Sequence, residues 1–425
     1  LGQERGRQVS SYPKTLVVVA VVTLLLMMLP GLPMLPLLLL FAVFAAAAWY
    51  SFRKLKRGDA QPETDEDTAD ETGEEGAQVG GEAFELRLSA DLAVQVLTST
   101  STLNLRIENL RKQFARDYGF SLPQLHVQLE KKLQAGTYQV CVRGASVATG
   151  ELELDKLLAI NPGGATLTLE GRATKEPTYG LNAQWIVPPL RSQAPTARYT
   201  LAEADTVLLS HHSELAWRYR PEFLTRAETE RLVEKKRAAL GSLVDELIPQ
   251  VLSYSDIQRV LQLLLKEQVP IRNLETILEV LVDLGRSNKN ADDLAERVRE
   301  RLGAALYERL LDQNGELNVL TLAPQLEGYM LSSARQRDGA SGALLPAQEL
   351  DRFVAAVAKE AERQLVGNRQ PVLLCAAPLR RVLRAFLWRA VPHMAVLSVN
   401  EIGQHARVTS AGMIDLPGFP ALEAS

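Results

Sequence analysis

The longest apolar run in the chain, Thr15 to Phe52, has 38 residues and no charged side chain. One membrane-spanning helix needs only about 20 such residues. Pro30, Gly31, Pro33 and Pro36 interrupt the run near its middle, where proline removes backbone donors and helices stop. The pattern therefore predicts a transmembrane hairpin over residues 1–57, with helices over 14–30 and 33–52. Arg5, Arg7 and Lys14 precede the run, and Arg53, Lys54, Lys56 and Arg57 follow it. By the positive-inside rule both ends are cytoplasmic and the Pro-Gly turn faces out. Trp49 and Tyr50 sit where interfacial aromatic residues anchor such spans. A cleaved signal peptide is the other reading, although its apolar core would span only about 7–15 residues.

Residues 58–82 invert the pattern: ten acidic side chains, no basic one and, apart from Val79, nothing large and apolar. Such a segment cannot bury enough surface to offset its ordering entropy and reads as a flexible linker. Beyond Phe84 the periods mix. ENLRKQFARDYGF places Leu110, Phe114 and Tyr118 four residues apart and ends at Gly119, which predicts a helix. GTYQVCVRG and TLTLEG alternate as strands. From about residue 220 helices take over by the same periodicity. Thr225 with Glu228, and Ser255 with Gln258, fit the spacing of capping boxes. Two apolar stripes follow, Ile257, Val260, Leu261 and Leu264, then Leu274, Ile277, Leu278 and Leu281. Further on, Leu350, Phe353, Val354 and Val357 make a helical face. PVLLCAAP then reads as a strand, Leu379 to Leu387 as a helix and MAVLSV as a strand. Strand, helix, strand with short connections predicts a parallel crossover. Past Gln404 the sequence predicts no element.

Composition narrows the chemistry. The chain has 425 residues, room for about two to four domains, and its net charge of −4 argues against nucleic acid as a partner. Cys141 and Cys375 lie in apolar strand-like runs and read as buried free thiols of a reducing compartment, with a disulfide the alternative. The phosphate-cradling GxxxxGK[ST] loop, HExxH, paired CxxC and GxSxG are absent. His211, His212 and Glu214 form the nearest approach to a metal-ligating or catalytic set. Adjacent histidines do not share a helical face, so capping or packing roles compete with that reading. No metal, cofactor or catalytic residue is assigned from this pattern. The expected class is therefore not an enzyme, with a membrane-anchored enzyme or an unrelated membrane-tethered scaffold as alternatives.

Several motifs then occur in one order: FSLPQLHV, LLAINPG from Leu157 to Gly163, KEPTYGLNAQWI from Lys175 to Ile186, TVLLSHHSE from Thr206 to Glu214, VPIRNLETILEVL from Val269 to Leu281, and VLSVNEI from Val396 to Ile402. With the hairpin and acidic linker ahead of them, they resemble the export-gate family of type III secretion, which comprises the flagellar FlhA proteins and their injectisome relatives. LLAINPG and VLSVNEI look more like the flagellar branch. The opening RLSADLAVQV departs from the family's glycine-containing start.

The resemblance implies an α+β and α/β region of four subdomains, the third all-helical, below a transmembrane hairpin in the bacterial inner membrane. The expected divisions are 83–154 with 204–223 for the first, 155–203 inserted as the second, 224–303 the third, 304–412 the fourth and 413–425 a tail. The family's earlier membrane helices would precede Leu1. Family members form a ring, usually of nine subunits, and receive export chaperones and substrates. They also work with other export-gate membrane proteins and with the export ATPase stalk. The family's chaperone site, a hollow between the first two subdomains, maps onto Glu176, Tyr179 and Ser210. Glu176 is expected at its rim. Pro177 and Gly180 mark a turn able to present Tyr179 outward. Packing of Tyr179 between subdomains is the alternative.

Overall fold

A computed structural model describes residues 82–98, 100–163, 167, 169–336, 344–367, 369–404 and 406–416. The chain divides into two compact units, Leu1–Ala77 and Gln78–Ser425, and the described residues all belong to the second. The hairpin expected over 1–57 lies outside them, as does the linker over 58–82 except Glu82. Among the described residues no helix is long and apolar enough to cross a membrane.

The first sheet has the order β2-β1-β3-β4. Its strand β1 (Phe84–Leu88) runs parallel to β2 (His126–Leu129) and antiparallel to β3 (Thr137–Val142), which pairs with β4 (Ala145–Glu151). Phe84, Leu86 and Leu88 are all but fully buried. Side chains one, three and five of a strand share a face, so that face is the one the core covers. Helix α1 (Ala90–Thr98) follows β1, and α2 (Thr100–Tyr118) contributes Phe114 and Tyr118 to the same core. Gly119 closes α2 with φ +91°, and a Cβ there would lie 2.5 Å from the Arg272 Cα, so both conformation and close approach require glycine.

The second sheet, β6-β7-β5-β8, is antiparallel throughout: β5 (Leu157–Ile160), β6 (Arg172–Lys175), β7 (Asn182–Ile186) and β8 (Thr200–Glu203). The strand expected over TLTLEG does not form among its described residues. Leu169 is buried and Leu167 exposed, although residues two apart share one face of a strand, and ladder pairing with β7 starts only at Arg172. Helix α3 (Ala204–Arg218) leaves this sheet and packs on α2.

Four helices follow: α4 (Arg226–Leu247), α5 (Tyr254–Lys266), α6 (Leu274–Gly285) and α7 (Ala291–Arg301). Both apolar stripes of α5 and α6 are buried and join the core of the first sheet. Thr225 caps α4 by accepting the Glu228 N–H at 3.1 Å, while the Glu228 carboxylate turns to Arg231, so only half of a box forms. At α5 the box sits two residues before the expected pair. Ser253 is the N-cap, and the Asp256 carboxylate accepts the Ser253 N–H at 2.9 Å. Ser255 lies inside the helix, and Gln258 bonds the Leu224 carbonyl instead.

The third sheet, β11-β10-β9-β12, is parallel throughout: β9 (Glu316–Leu322), β10 (Val372–Cys375), β11 (Ala395–Ser398) and β12 (Arg407–Ile414). Helices α8 (Pro324–Gln336), α9 (Ala347–Val366) and α10 (Ala377–Ala390) pack with it around a separate core. The expected strand–helix–strand unit is β10–α10–β11, with Leu373 opposite Val396 in parallel register. Strand β12 lies where the sequence past Gln404 predicts no element; it is a largely exposed edge strand, with its register shifted between Ser410 and Gly412. Both cysteines are free and buried, one in the first sheet and one in the third. Burial pushes the Cys375 thiol up to about 12.

Candidate functional site

The turn between β6 and β7 is built on Glu176. Its N–H donates to the Leu181 carbonyl at 2.8 Å, and its own carbonyl accepts the Gly180 N–H at 2.9 Å. Its carboxylate folds back to accept the N–H groups of Thr178 at 2.8 Å and Tyr179 at 2.7 Å. Gly180 completes the turn with φ +70° and open space around its Cα, a left-handed conformation that suits glycine. The consequence is a Glu176 that is 5% exposed carrying a Tyr179 that is 69% exposed.

This corrects the expected place of Glu176. Its charge does not stand at the rim; it is spent on two backbone donors of its own turn, an arrangement that rigidifies the turn. Tyr179 does project outward, and so does Ser210, from one face of α3. The two residues line one hollow of about 470 Å³ together with, among others, Arg106, Asn109 and Gln113 of α2 and Ser213, Glu214 and Trp217 of α3. Ser210, Ser213 and Trp217 share a face because they are three and seven residues apart.

Trp217 forms the apolar floor. Its indole centroid lies 5.0 Å from that of Phe114 and 5.2 Å from that of Tyr118, and its Nε1 donates to the Ser213 Oγ at 3.1 Å. Trp217 is not among the residues the family resemblance names, although its position seven residues after Ser210 puts it on the same helical face.

The histidines next to Ser210 face the other way. His211 Nδ1 lies 2.7 Å from the Tyr138 hydroxyl, and the His212 ring stacks on Phe84 with centroids 4.3 Å apart. Burial holds His211 below its usual range, with the Glu176 charge opposing and Arg218 reinforcing the shift. Burial, then the neighbouring His211, pushes His212 down to about 3. Glu214 points to the exposed side and pairs with Arg218 at 3.4 Å. The three groups weighed as a catalytic or metal-ligating set are thus not brought together.

The hollow offers one exposed phenol on a clamped turn, an indole floor and serine and amide rims. These groups suit noncovalent docking of a side chain or short segment.

The flagellar biosynthesis protein FlhA of Bacillus subtilis is 33% identical over 311 residues, which is 73% of this chain and 46% of that protein. FlhA of Escherichia coli K12 is 34% identical over 307 residues, 72% of this chain and 44% of that protein. The chain thus spans less than half the length of these curated relatives. Among solved structures, the Chlamydia pneumoniae CdsV protein has a TM-score of 0.66 at 21% identity, covering 78% of this chain and 98% of that one. The nonameric SctV-C of EPEC has a TM-score of 0.63 at 23% identity, covering 80% of this chain and all of that one. These two share the fold. The sequence model of the FHIPEP family matches residues 1–407, and the chain, which FlhA proteins match at 33–34% identity, belongs to that family.

Proposed function

We propose that the chain is part of a type III protein export gate of the flagellar kind. Its part beyond the hairpin docks export chaperones and substrates and passes substrates to the membrane channel. The observation that carries this reading is the Tyr179 turn: an exposed phenol, held by the buried Glu176 carboxylate, beside a hollow floored by Trp217. A tyrosine held outward on a fixed turn offers a partner a large apolar face with a polar tip at small entropy cost. The flagellar branch is favoured because relatives called FlhA match at 33–34% identity, against 21–23% for the injectisome structures.

In this reading the hairpin sits in the bacterial inner membrane and the described residues hang in the cytoplasm as four subdomains, the sheets supplying three and the α4–α7 helices the other. The chain assembles with itself into a ring, as the nonameric SctV-C does. Residues 58–82, about 25–30 Å end to end as a flexible coil, reach toward the next subunit. A complex of CdsV with CdsO, at TM-score 0.67 and 21% identity, supports a contact of this fold with a further protein partner.

Tyr179→Ala tests the docking site. At 69% exposure the truncation should change folding stability by less than about 0.5 kcal/mol, as for other surface substitutions, while a chaperone pull-down loses its signal. A packing residue would instead cost about 3–5 kcal/mol. A folded Tyr179→Ala protein that captures chaperones as wild type does would overturn the assignment.

A further inference from the structure

A second cleft lies away from the Tyr179 hollow, where the α4–α7 helices meet the third sheet. It encloses about 290 Å³ and is lined by Arg384, Arg299, Arg309, His393, Gln268 and Glu267, among others. Most charges there are already matched. Arg380 is fully buried and bonds both Glu267 and Glu296. Arg299 bridges Glu267 at 3.1 Å and Glu401 at 2.7 Å.

Arg384 is the exception. It is 8% exposed, yet among the described residues no carboxylate stands within ion-pair distance of it. Its Nη1 donates to the Met394 carbonyl at 2.7 Å, and its guanidinium carbon lies 4.6 Å from the Trp388 ring centroid. A guanidinium presents five donors, so most of this fork is left for whatever occupies the cleft. Burial pulls Arg384 down to about 10, and although Glu267 opposes this, Arg299, Arg380 and Arg220 add to it. Arg220 is itself satisfied by the carbonyls of Leu265 and Trp217. The local balance is therefore four guanidinium groups against the carboxylates of Glu267, Glu296 and Glu401.

Two further features point into the same space. Arg309 and His393 are exposed at the cleft with no ion-pair partner among the described residues. Gln268 closes α5 with φ +66°, where its N–H and that of Val269 return to the carbonyls of Leu265 and Leu264. That is the position at which glycine is usual; a side chain kept there against backbone strain places an amide in the cleft.

We propose that this cleft binds an oxyanion, a phosphate or a carboxylate, on the free donors of Arg384 with Arg309 at its mouth. The fork geometry of arginine matches either anion bidentately. A buried guanidinium with no carboxylate at ion-pair distance also carries a desolvation cost that such an anion relieves.

Calorimetric titration of the full chain in lipid nanodiscs provides the test, with inorganic phosphate in one arm and acetate in the other and ionic strength held constant with sodium chloride. Saturable binding of phosphate, acetate or both at millimolar concentration is expected, and the arm that binds identifies the chemistry. Trp388 fluorescence should shift on binding, because its ring lies against Arg384. Arg384→Gln should abolish binding. Arg309→Gln should weaken it roughly tenfold, the factor carried by one charge-assisted hydrogen bond. Since Arg384→Gln also alters a buried contact, its unfolding transition is measured alongside; if it does not fold, the exposed Arg309→Gln variant decides. Absence of saturable binding in both arms overturns the proposal, as does wild-type affinity in either folded variant.

Discussion

His212 makes the residue-scale argument most directly. Its ring is buried against Phe84, and its Nδ1 has no hydrogen-bond partner, so a proton there would bring an unpaired charge into the core. Its folded pKa, pushed down to about 3 from 6.5, means that below pH 6.5 the unfolded chain takes up a proton the folded chain refuses. Stability is therefore unaffected above that value and falls as the pH drops from 6.5 toward 3. At pH 5 the loss should be about 2 kcal/mol. Urea titrations at pH 7 and pH 5 measure it, and His212→Phe should flatten the difference because a neutral ring can keep the stack on Phe84. An unchanged pH difference in that variant would show that the acid sensitivity arises elsewhere. Glu176 presents the opposite case, a buried charge that is satisfied. Glu176→Gln removes one of two acceptor oxygens from the Tyr179 turn. It should weaken chaperone capture while leaving Tyr179 in place, with faster amide exchange at Thr178 and Tyr179. Unchanged exchange at both would mean that the carboxylate does not hold the turn.

Among the elements, helix α5 gives the sharpest contrast between neighbouring serines. Ser253 accepts the Asp256 N–H at 3.2 Å and Asp256 accepts the Ser253 N–H, so Ser253→Ala should cost about 1 kcal/mol. Ser255→Ala, inside the helix, should be nearly neutral or slightly stabilising, since alanine is the better helix former. Equal losses in thermal unfolding would contradict this assignment of the cap. Bonds from the Ser253 side chain, then its backbone N–H, hold the Asp256 carboxyl below its usual range. The cap is therefore complete at neutral pH and weakens as the pH falls through that lowered value. The same helix shows what sequence makes legible. Ile257, Val260, Leu261 and Leu264 announce a buried stripe by spacing alone, and all are fully buried. The capping-box spacing points to Ser255 with Gln258 because the motif takes glutamate or glutamine at the third helical position, a place that the shorter Asp256 fills here. Strand β12 stayed hidden because an edge strand with mostly exposed positions, interrupted near Gly412, has no alternation to display. Tyr179 and Ser210 could be brought forward by resemblance. The burial of Glu176 could not, because an acidic residue in a turn reads as solvated until its two backbone donors are seen.

Over the whole molecule the question is what couples the two large cores. One runs through the first sheet and the α4–α7 helices, the other through the third sheet with α8–α10. Arg380 crosses between them: carried by α10 and 0% exposed, it reaches Glu267 after α5 and Glu296 on α7. These partners are 113 and 84 residues away in sequence, which is why no local pattern reveals them. Burial opposes the charge on Arg380, but the hydrogen bonds and fields of Glu267 and Glu296 outweigh it. For Glu267, burial raises the carboxyl while Arg299 and Arg380 more than reverse the shift and leave it lowered. Its contribution is thus present at neutral pH and is lost as the pH falls through that lowered value. Removing Arg380 leaves Glu296 without its guanidinium and Glu267 with Arg299 alone, so Arg380→Met should cost about 3–5 kcal/mol. Replacing Glu267 and Glu296 with leucine in the same chain should return much of that loss, because an apolar trio of similar volume needs no counter-charge. Denaturant unfolding of the two variants separates the cases. With one of the links between the cores removed, Arg380→Met should also broaden the unfolding transition, while Arg299 and Glu401 at 2.7 Å still join them. A single transition shifted by less than about 1 kcal/mol, the scale of an exposed ion pair, would mean that the cluster does not hold the cores together.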